Sequence, residues 1–171
     1  MHLYHYVSTG NSVLSEGILS FVKNPKADIN YYTKRSGQTT HSGVVEWMEN
    51  CFVGRSRGIR LLIEPLQYTQ NTPSIKEFIE TSDLFKVDIS ALQNDGLIEA
   101  VYVSPSVLEK EPKNKNDEEL IKLSNLSEID FTPNDYSILD DKKGWRFAFM
   151  RYYFIVVKDG VIPSKYIQQV K

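Results

Sequence analysis

The stretch LYHYVSTGNSVLSEGIL, residues 3–19, decides how the rest of the chain is interpreted. Aromatic and β-branched residues in Leu3–Val7 predict a short strand that carries His5. A polar turn follows, and then a short helix that is expected to end at Gly17. A histidine on a first strand, beside the start of a helix, is suited to recognise an anionic or ribose-bearing ligand.

The composition narrows the class of protein. Hydrophobic residues make up 41% and charged residues 25% of the 171 residues, and the formal net charge is -2. These values are ordinary for a soluble globular protein, so residues 1–171 are predicted to form a single domain with one sizeable core. The near-neutral balance argues against a dedicated binder of polyanions, although it leaves room for a local basic patch.

Cysteine usage and hydropathy indicate the compartment. Cys51 is the only cysteine, so no intramolecular disulfide can form, and a cytoplasmic setting is expected. Because Cys51 lies in a helix-like run, we expect it to be a buried small hydrophobe. No apolar run approaches the ~20 residues needed to span a bilayer, and no leader resembles a signal peptide. A membrane is therefore not an expected partner.

The pattern of apolar residues predicts an α+β fold with a central, mainly antiparallel sheet and helices concentrated in the N-terminal third. Helices are predicted over residues 13–17, 44–52, 73–79 and 120–126. Strands are predicted over residues 59–64, 84–89, 97–103 and 145–157. Tyr31-Tyr32 is expected in a short strand or an aromatic loop, and Gly54–Gly58 in a basic turn. The apolar residues 147–157 favour a central strand buried on both faces, and the polar residues 109–119 favour a solvated segment.

Most common catalytic motifs are missing from the sequence. The histidines at positions 2, 5 and 41 show no metal-ligand spacing, so no metal site is predicted. No Gly-x-Gly-x-x-Gly, Walker-type or Gly-x-Ser-x-Gly motif occurs, and no carboxylate pair stands out from the surface acids. What remains is a distributed set of residues: His5 on the first strand, Tyr31-Tyr32 before the first long helix, and Tyr152-Tyr153 on the last long strand.

The order of these motifs resembles the ADP-ribosyltransferase fold, in particular its diphtheria-toxin-like His-Tyr branch. Tyr4-His5, followed by the small helix that ends at Gly17, is similar to the first motif of that family. Tyr31-Tyr32, followed by Ser36-Gly37 and a helix, is similar to the second motif. The end of the chain, from Phe154 to Ile167, resembles the ending of many members.

The resemblance implies that NAD is a substrate, bound in a cleft between the strand of His5 and the helix that follows Tyr31-Tyr32. A histidine can fix a ribose hydroxyl, an aromatic face can hold the nicotinamide ring, and guanidinium groups can bind the pyrophosphate. The expected catalytic residues are His5, Tyr32 and Tyr153. The expected NAD-binding residues are Tyr4, His5, Tyr31, Tyr32, Arg55, Arg57 and Arg151.

The resemblance leaves three functions open. The first is transfer of ADP-ribose to a protein or nucleic-acid acceptor, by a toxin, an effector or a defence protein. The second is a catalytically inactive module of the same fold that binds a nucleotide or a protein. Family members often carry a glutamate on a late strand, where this chain has Arg151-Tyr152-Tyr153, and this difference favours the second function. The third is a structural interaction protein without a small ligand.

Overall fold

The fold is mixed α+β and its sheets are antiparallel. The structure is a computed structural model that describes residues 1–9, 12–51, 53–104, 120–143 and 151–171. The described helices are α1 (Val13–Glu16), α2 (Asn30–Ser36), α3 (His41–Cys51), α4 (Val53–Arg57), α5 (Pro73–Glu80) and α6 (Ile89–Asn94). The described strands are β1 (His2–Ser8), β2 (Ile18–Leu19), β3 (Gly58–Leu61), β4 (Ser82–Asp88), β5 (Ile98–Val103), β6 (Ile121–Leu123), β7 (Tyr153–Val157), β8 (Val161–Ile162) and β9 (Ile167–Gln169). The predicted segment 109–119, and residues 145–150 of the longest predicted strand, lie outside the described residues.

The largest described sheet has the strand order β3-β7-β5-β6. Its central strand, β7, is apolar throughout, with Tyr153, Ile155 and Val157 buried on one face and Phe154 buried on the other. The prediction of a strand buried on both faces is therefore confirmed for the described part of this segment. A central position explains the composition, because both faces of such a strand are covered by other elements.

The described strands divide among three sheets, whereas the sequence predicts one central sheet. A second sheet has the order β1-β4-β9, and β2 pairs with β8 in a third. One bridge, between Tyr4 and Leu62, connects the first strand to the end of β3. The two larger sheets thus meet at a single residue pair and then separate, and this sheet junction positions the candidate site described below.

Two apolar clusters lie around the sheets. The main core contains Leu3, Phe85 and Val87 from the second sheet together with Tyr153 and Ile155 from the first. A smaller cluster is built from the buried residues Leu62, Leu66, Ile75, Tyr136 and Leu139. Tyr4, Tyr6 and Tyr152 are partly buried against this smaller cluster. Side chains of β1 therefore alternate between the two clusters, as expected for a strand.

Gly17 ends α1 as predicted, and its neighbours explain why glycine is needed there. Its φ is +82°, a conformation that side-chain-bearing residues rarely adopt. A Cβ atom at this position would lie 2.3 Å from the carbonyl oxygen of Ile162. Ile162 belongs to β8 and pairs with Ile18, the residue after Gly17. The close approach of Gly17 to Ile162 therefore leads directly into the pairing of β2 with β8.

Tyr31-Tyr32 lies in helix α2, so the prediction of a strand or loop for these residues was wrong. The helix begins after Asp28, whose carboxylate accepts a hydrogen bond from the Asn30 N–H, and it ends at Gly37 in the left-handed conformation. The ring of Tyr32 packs against Phe21. These capping and packing interactions outweigh the preference of tyrosine for strands.

The basic segment Gly54–Gly58 was predicted as a turn, but residues Val53–Arg57 form helix α4. Gly54 allows the helix to approach the sheet closely, since a Cβ atom there would lie 3.1 Å from Cγ of Tyr102. An ion pair between Arg57 and Glu49 joins α4 to the preceding helix. The contact with Tyr102 joins residues that are far apart in the chain, which is why the pattern alone did not indicate a helix.

Two further local predictions were also wrong. A helix was expected over residues 120–126, but Ile121–Leu123 forms β6 and pairs with β5. The apolar positions 121 and 123 also fit the alternation of a strand, and the open edge of β5 decides between the two structures.

Cys51 is exposed rather than buried, because it is the last residue of α3 and the buried positions of that helix are Val44 and Met48. Among the described helices, none has the length and apolarity to cross a membrane.

Candidate functional site

The sheet junction begins with two backbone hydrogen bonds between Tyr4 and Leu62, each 2.8 Å long. Continued antiparallel pairing would place Tyr6 opposite Arg60. Instead, the carbonyl oxygen of Arg60 lies 2.8 Å from Nδ1 of His5. The imidazole therefore supplies the hydrogen bond to this carbonyl at the point where the two strands separate. A carbonyl can only accept, so Nδ1 carries the proton and Nε2 carries a lone pair.

His5 is neutral at physiological pH. Its side chain is half-buried, and burial, reinforced by the nearby positive charge of Arg60, lowers the pKa of His5 to about 4, although the bond to the Arg60 carbonyl opposes this change. A neutral imidazole with a protonated Nδ1 presents Nε2 as a hydrogen-bond acceptor. Such a group can accept from a hydroxyl, and it adds no positive charge to the site.

Two arginines stack on aromatic rings beside this junction. The guanidinium of Arg60 lies 5.1 Å from the ring centroid of Tyr152, and that of Arg55 lies 5.2 Å from the ring centroid of Phe154. Tyr152 and Phe154 are two residues apart at the start of β7, so they project from the same face, ~7 Å apart along the strand. We call Arg55, Arg60, Tyr152 and Phe154 the arginine–aromatic row.

The arginine–aromatic row is positively charged and partly sheltered from water. Phe154 is buried, Tyr152 and Arg55 are half-buried, and Arg60 is exposed. Burial raises the pKa of Tyr152 to about 12, while the positive charges of Arg60 and Arg55 act in the opposite direction. The phenol thus keeps its proton at neutral pH and can donate a hydrogen bond. Guanidinium groups bind phosphate oxygens through paired hydrogen bonds, so two of them on neighbouring aromatic rings suit a ligand with more than one phosphate.

Three of the predicted site residues contribute to this region. His5 lies at the sheet junction, and Arg55 belongs to the arginine–aromatic row. Tyr4 forms the bridge to Leu62 and packs against the same small cluster as Tyr152. Because Tyr4 and His5 are adjacent in β1, their side chains leave opposite faces of that strand, and it is Tyr4 that shares a cluster with Tyr152.

Tyr153 lies on the opposite face of β7, in the main core. Only 2% of its surface is exposed, and its hydroxyl oxygen accepts a hydrogen bond of 2.9 Å from the backbone N–H of Asp130. The expected catalytic tyrosine is therefore surrounded by apolar side chains and already bonded. Its neighbour Tyr152 is the tyrosine that lies beside the two arginines.

The other two predicted arginines are held in ion pairs. The guanidinium of Arg151 lies 2.6 Å from a carboxylate oxygen of Asp130 and also donates to the Thr132 carbonyl. Arg57 donates two hydrogen bonds, of 3.0 and 3.1 Å, to the two carboxylate oxygens of Glu49. These bonds hold the pKa of Glu49 below its usual range. A ligand phosphate would have to compete with these carboxylates for either arginine.

Tyr32 lies in a cluster of aromatic rings between α2 and α3. Its ring centroid is 5.4 Å from that of Phe21, in an edge-to-face arrangement, and 6.5 Å from that of Trp47. His41 stacks on Phe21 and its Nε2 lies 2.7 Å from the Phe21 carbonyl. The helix that carries Tyr32 also carries Tyr31, whose side chain lies outside the described part of the chain.

Of the polar residues of this region, Arg60 was not selected by sequence reasoning, and Tyr152 was noted beside Tyr153 without being among the expected site residues. A weak signal exists for Arg60, which alternates with buried apolar neighbours on β3, and for Tyr152, which lies two residues before Phe154 within a predicted strand. Alternation shows that they share a face with other residues of their own strand. It does not show that β3 and β7 are neighbours, and only this pairing brings the guanidinium over the ring.

No family model, no curated protein and no solved structure matches this chain. Within the ranges that the structure describes, no group of three histidine, cysteine, aspartate or glutamate side chains could hold a metal ion. The chemical interpretation therefore depends on the geometry of the sheet junction and of the arginine–aromatic row.

Proposed function

We propose that the chain binds NAD at the sheet junction and transfers ADP-ribose to a macromolecular acceptor. The observation that carries this proposal is the combination of a neutral His5 with two stacked arginines on the adjoining elements. A hydroxyl-recognising group next to a pair of phosphate-recognising groups matches the ribose and pyrophosphate of a dinucleotide. The resemblance of Tyr4-His5 to the first motif of ADP-ribosyltransferases supports the same ligand.

The residues of this region have distinct roles in the proposal. Nε2 of His5 accepts a hydrogen bond from a ribose hydroxyl, and Arg55 and Arg60 bind the pyrophosphate. Tyr152 offers a hydroxyl donor, and Tyr4 offers an aromatic surface beside it. Arg60 and Tyr152 take the roles that were expected for Arg57, Arg151 and Tyr153, because the latter three are already bonded to other groups of the protein.

The transfer reaction exchanges one bond of the ribose carbon for another. The bond between the ribose carbon and the nicotinamide nitrogen breaks, and nicotinamide leaves with the electron pair as a neutral ring. The acceptor forms the new bond to the same carbon through an oxygen or nitrogen and releases a proton to water. Positive charge grows on the ribose as the ring leaves. A neutral His5 favours this step over a protonated one, which would repel that charge.

A second function, a catalytically inactive module that binds a nucleotide or a protein, is supported by the composition of β7. This strand carries no carboxylate, and the nearby Asp130 is paired with Arg151. Without a carboxylate to activate the acceptor, NAD could still bind while transfer of ADP-ribose is slow or absent. The two functions differ in one measurable respect, which is the covalent product.

Binding is tested by the melting temperature in saturating NAD. We expect the wild type and His2→Ala, a variant of an exposed histidine on the same strand, to melt several degrees higher with NAD. His5→Ala should show no increase. An unchanged melting temperature for the wild type would exclude NAD binding.

Transfer is tested by incubating the protein with a cell lysate and NAD that is labelled in its adenylate part. Label on protein, RNA or DNA supports the transferase. A melting shift without label supports the inactive binding module, and labelling that persists in His5→Ala would contradict the proposed role of the histidine.

A further inference from the structure

A second concave site lies at the other end of β7 from the arginine–aromatic row. It is a cleft of about 250 Å³ between the segment after β2, helices α3 and α4, and the turn that follows β7. We call it the lateral cleft. The described residues that line it are Ser20, Val22, Lys23, Glu49, Arg57, Glu99, Val156, Val157, Asp159 and Gly160.

Ser20 is a buried polar residue that faces this cleft. Its exposed fraction is only 1%, and its backbone is bonded to Gly160 and Lys23. Within the described part of the chain, its hydroxyl makes no hydrogen bond. Because this hydroxyl lines the lateral cleft and is not engaged by another part of the described protein, it is available to a polar atom of a ligand or to a water molecule.

Carboxylates dominate the charge of the lateral cleft. Arg57 and Glu49 neutralise each other through two hydrogen bonds. The remaining charged side chains are Lys23, Glu99 and Asp159, which leaves one excess negative charge. The hydrogen bond from Arg57 to Glu49 is the main reason that the pKa of Arg57 is raised, and the negative charge of Glu99 acts in the same direction.

The position of Glu99 in β5 is unusual for a strand residue. The pairing of β5 with β7 shifts between Ile98 and Ala100, so Glu99 is the extra residue of a β-bulge. Bulges redirect a side chain from the face that regular alternation would give it. Here the redirected carboxylate lines the lateral cleft together with Arg57.

We infer that the lateral cleft binds the alkylammonium or alkylguanidinium group of a small organic cation or of a single basic side chain. Glu99 and Asp159 would bind the cationic group, and the Ser20 hydroxyl would accept a hydrogen bond from one of its N–H groups. The valines that line the cleft would contact its methylene stem. The volume is below the 300–1,000 Å³ typical of sites for larger ligands, which limits the occupant to about this size. Lys23 is exposed and flexible, so it can move aside.

This inference does not depend on the proposed function, because NAD and the cation would occupy opposite ends of β7. The probe is agmatine, which carries both cationic groups, titrated calorimetrically into the full chain. We expect a dissociation constant of about 1 mM or lower, and no binding of the uncharged analogue butylurea. A capped tripeptide with a central arginine tests whether the natural source is a protein side chain or a free amine. Whichever of the two compounds binds more tightly identifies the source of the cation, and binding of either compound supports the site.

Four variants locate the binding. Glu99→Gln should weaken agmatine binding about tenfold, because a charge-assisted hydrogen bond is lost. Ser20→Ala should weaken it about threefold, and Lys23→Gln should strengthen it by removing a like charge. Glu46→Gln, an exposed position on α3, is the matched control and should bind like the wild type. The absence of agmatine binding, or equal effects of Glu99→Gln and Glu46→Gln, would overturn the inference, and NAD binding by the same samples is measured separately.

Discussion

The guanidinium of Arg60 lies 5.1 Å from the ring centroid of Tyr152, the residue directly before the neighbouring strand β7 of the larger sheet. The backbone carbonyl of the same arginine accepts the hydrogen bond of His5. One residue thus connects the strand of the histidine with the strand of the tyrosine. This arrangement places His5 next to residues that lie far from it in sequence.

Arg55 and Arg57 are neighbours in sequence, but they have different partners, so their variants should behave differently. Arg55→Gln should weaken NAD binding about tenfold, because Arg55 belongs to the arginine–aromatic row and would lose a charge-assisted bond to phosphate. Arg57→Gln is the matched control, since its guanidinium is bonded to Glu49. Titration calorimetry with NAD measures both affinities. Equal losses in the two variants would show that the row has no special role.

The pKa of His5 predicts a pH dependence of stability. The pKa is about 4 in the folded protein and near 6.5 in the unfolded chain, so the unfolded state binds more protons between these values. The contribution of neutral His5 is fully present above pH 6.5 and is lost as the pH falls toward 4. At about 1.4 kcal/mol per pKa unit the loss is about 3 kcal/mol at most, and partial exposure should reduce it to about 1–2 kcal/mol.

Urea unfolding of the wild type and of His5→Asn at pH 7 and at pH 4.5 measures this effect. The asparagine can still donate to the Arg60 carbonyl but does not titrate in this range. The wild type should lose more free energy of unfolding on acidification than the variant does. Identical losses would mean that His5 titrates normally in the folded state. Carboxyl groups such as Asp130, whose pKa is lowered by bonds to Thr132, affect both proteins equally.

The adjacent tyrosines of β7 allow a test of which one belongs to the site. Tyr153→Phe should lower the free energy of unfolding by about 1 kcal/mol, because the Asp130 N–H would lose its acceptor, the hydroxyl of the buried Tyr153. It should leave NAD binding unchanged. Tyr152→Phe should have a smaller effect on stability and should weaken NAD binding several-fold. If Tyr153→Phe weakened NAD binding and Tyr152→Phe did not, the nucleotide site would lie on the opposite face of β7.

Gly17 and Gly37 both follow a helix with a positive φ, of +82° and +73°, yet they differ in their surroundings. A Cβ atom at Gly17 would clash with the Ile162 carbonyl, whereas a Cβ atom at Gly37 would meet no atom within 4 Å. Gly37→Ala should therefore cost about 1 kcal/mol from the backbone conformation alone. Gly17→Ala should cost at least about 2 kcal/mol more. Chemical denaturation of both variants measures the difference, and similar costs would contradict the close packing of β2 on β8.

Local sequence signals were sufficient for those elements whose structure depends on local causes. The strand around His5, the helix that ends at Gly17 and the apolar strand β7 were all predicted. Each has a signal within a few residues, such as alternation, a terminal glycine or a continuous apolar run. The antiparallel α+β class followed from the same signals.

Errors occurred where a distant partner decides the structure. Ile121–Leu123 is a strand because the edge of β5 is available to it, and Val53–Arg57 is helical because it packs on the sheet through Gly54. The candidate site shows the same limit. Residue type suggested His5 and Arg55, but the selection of Arg60 and Tyr152 requires the pairing of β3 with β7, and the burial of Tyr153 requires the face of that strand to be known.

The most direct test of the central claim is a crystal structure of the protein grown in saturating NAD. Electron density for the ligand should lie at the sheet junction, with a ribose hydroxyl within hydrogen-bond distance of His5 Nε2 and the pyrophosphate in contact with the guanidinium groups of Arg55 and Arg60. Density for NAD at another surface, or a junction without ligand at saturating concentration, would contradict the assignment of this region as the nucleotide site.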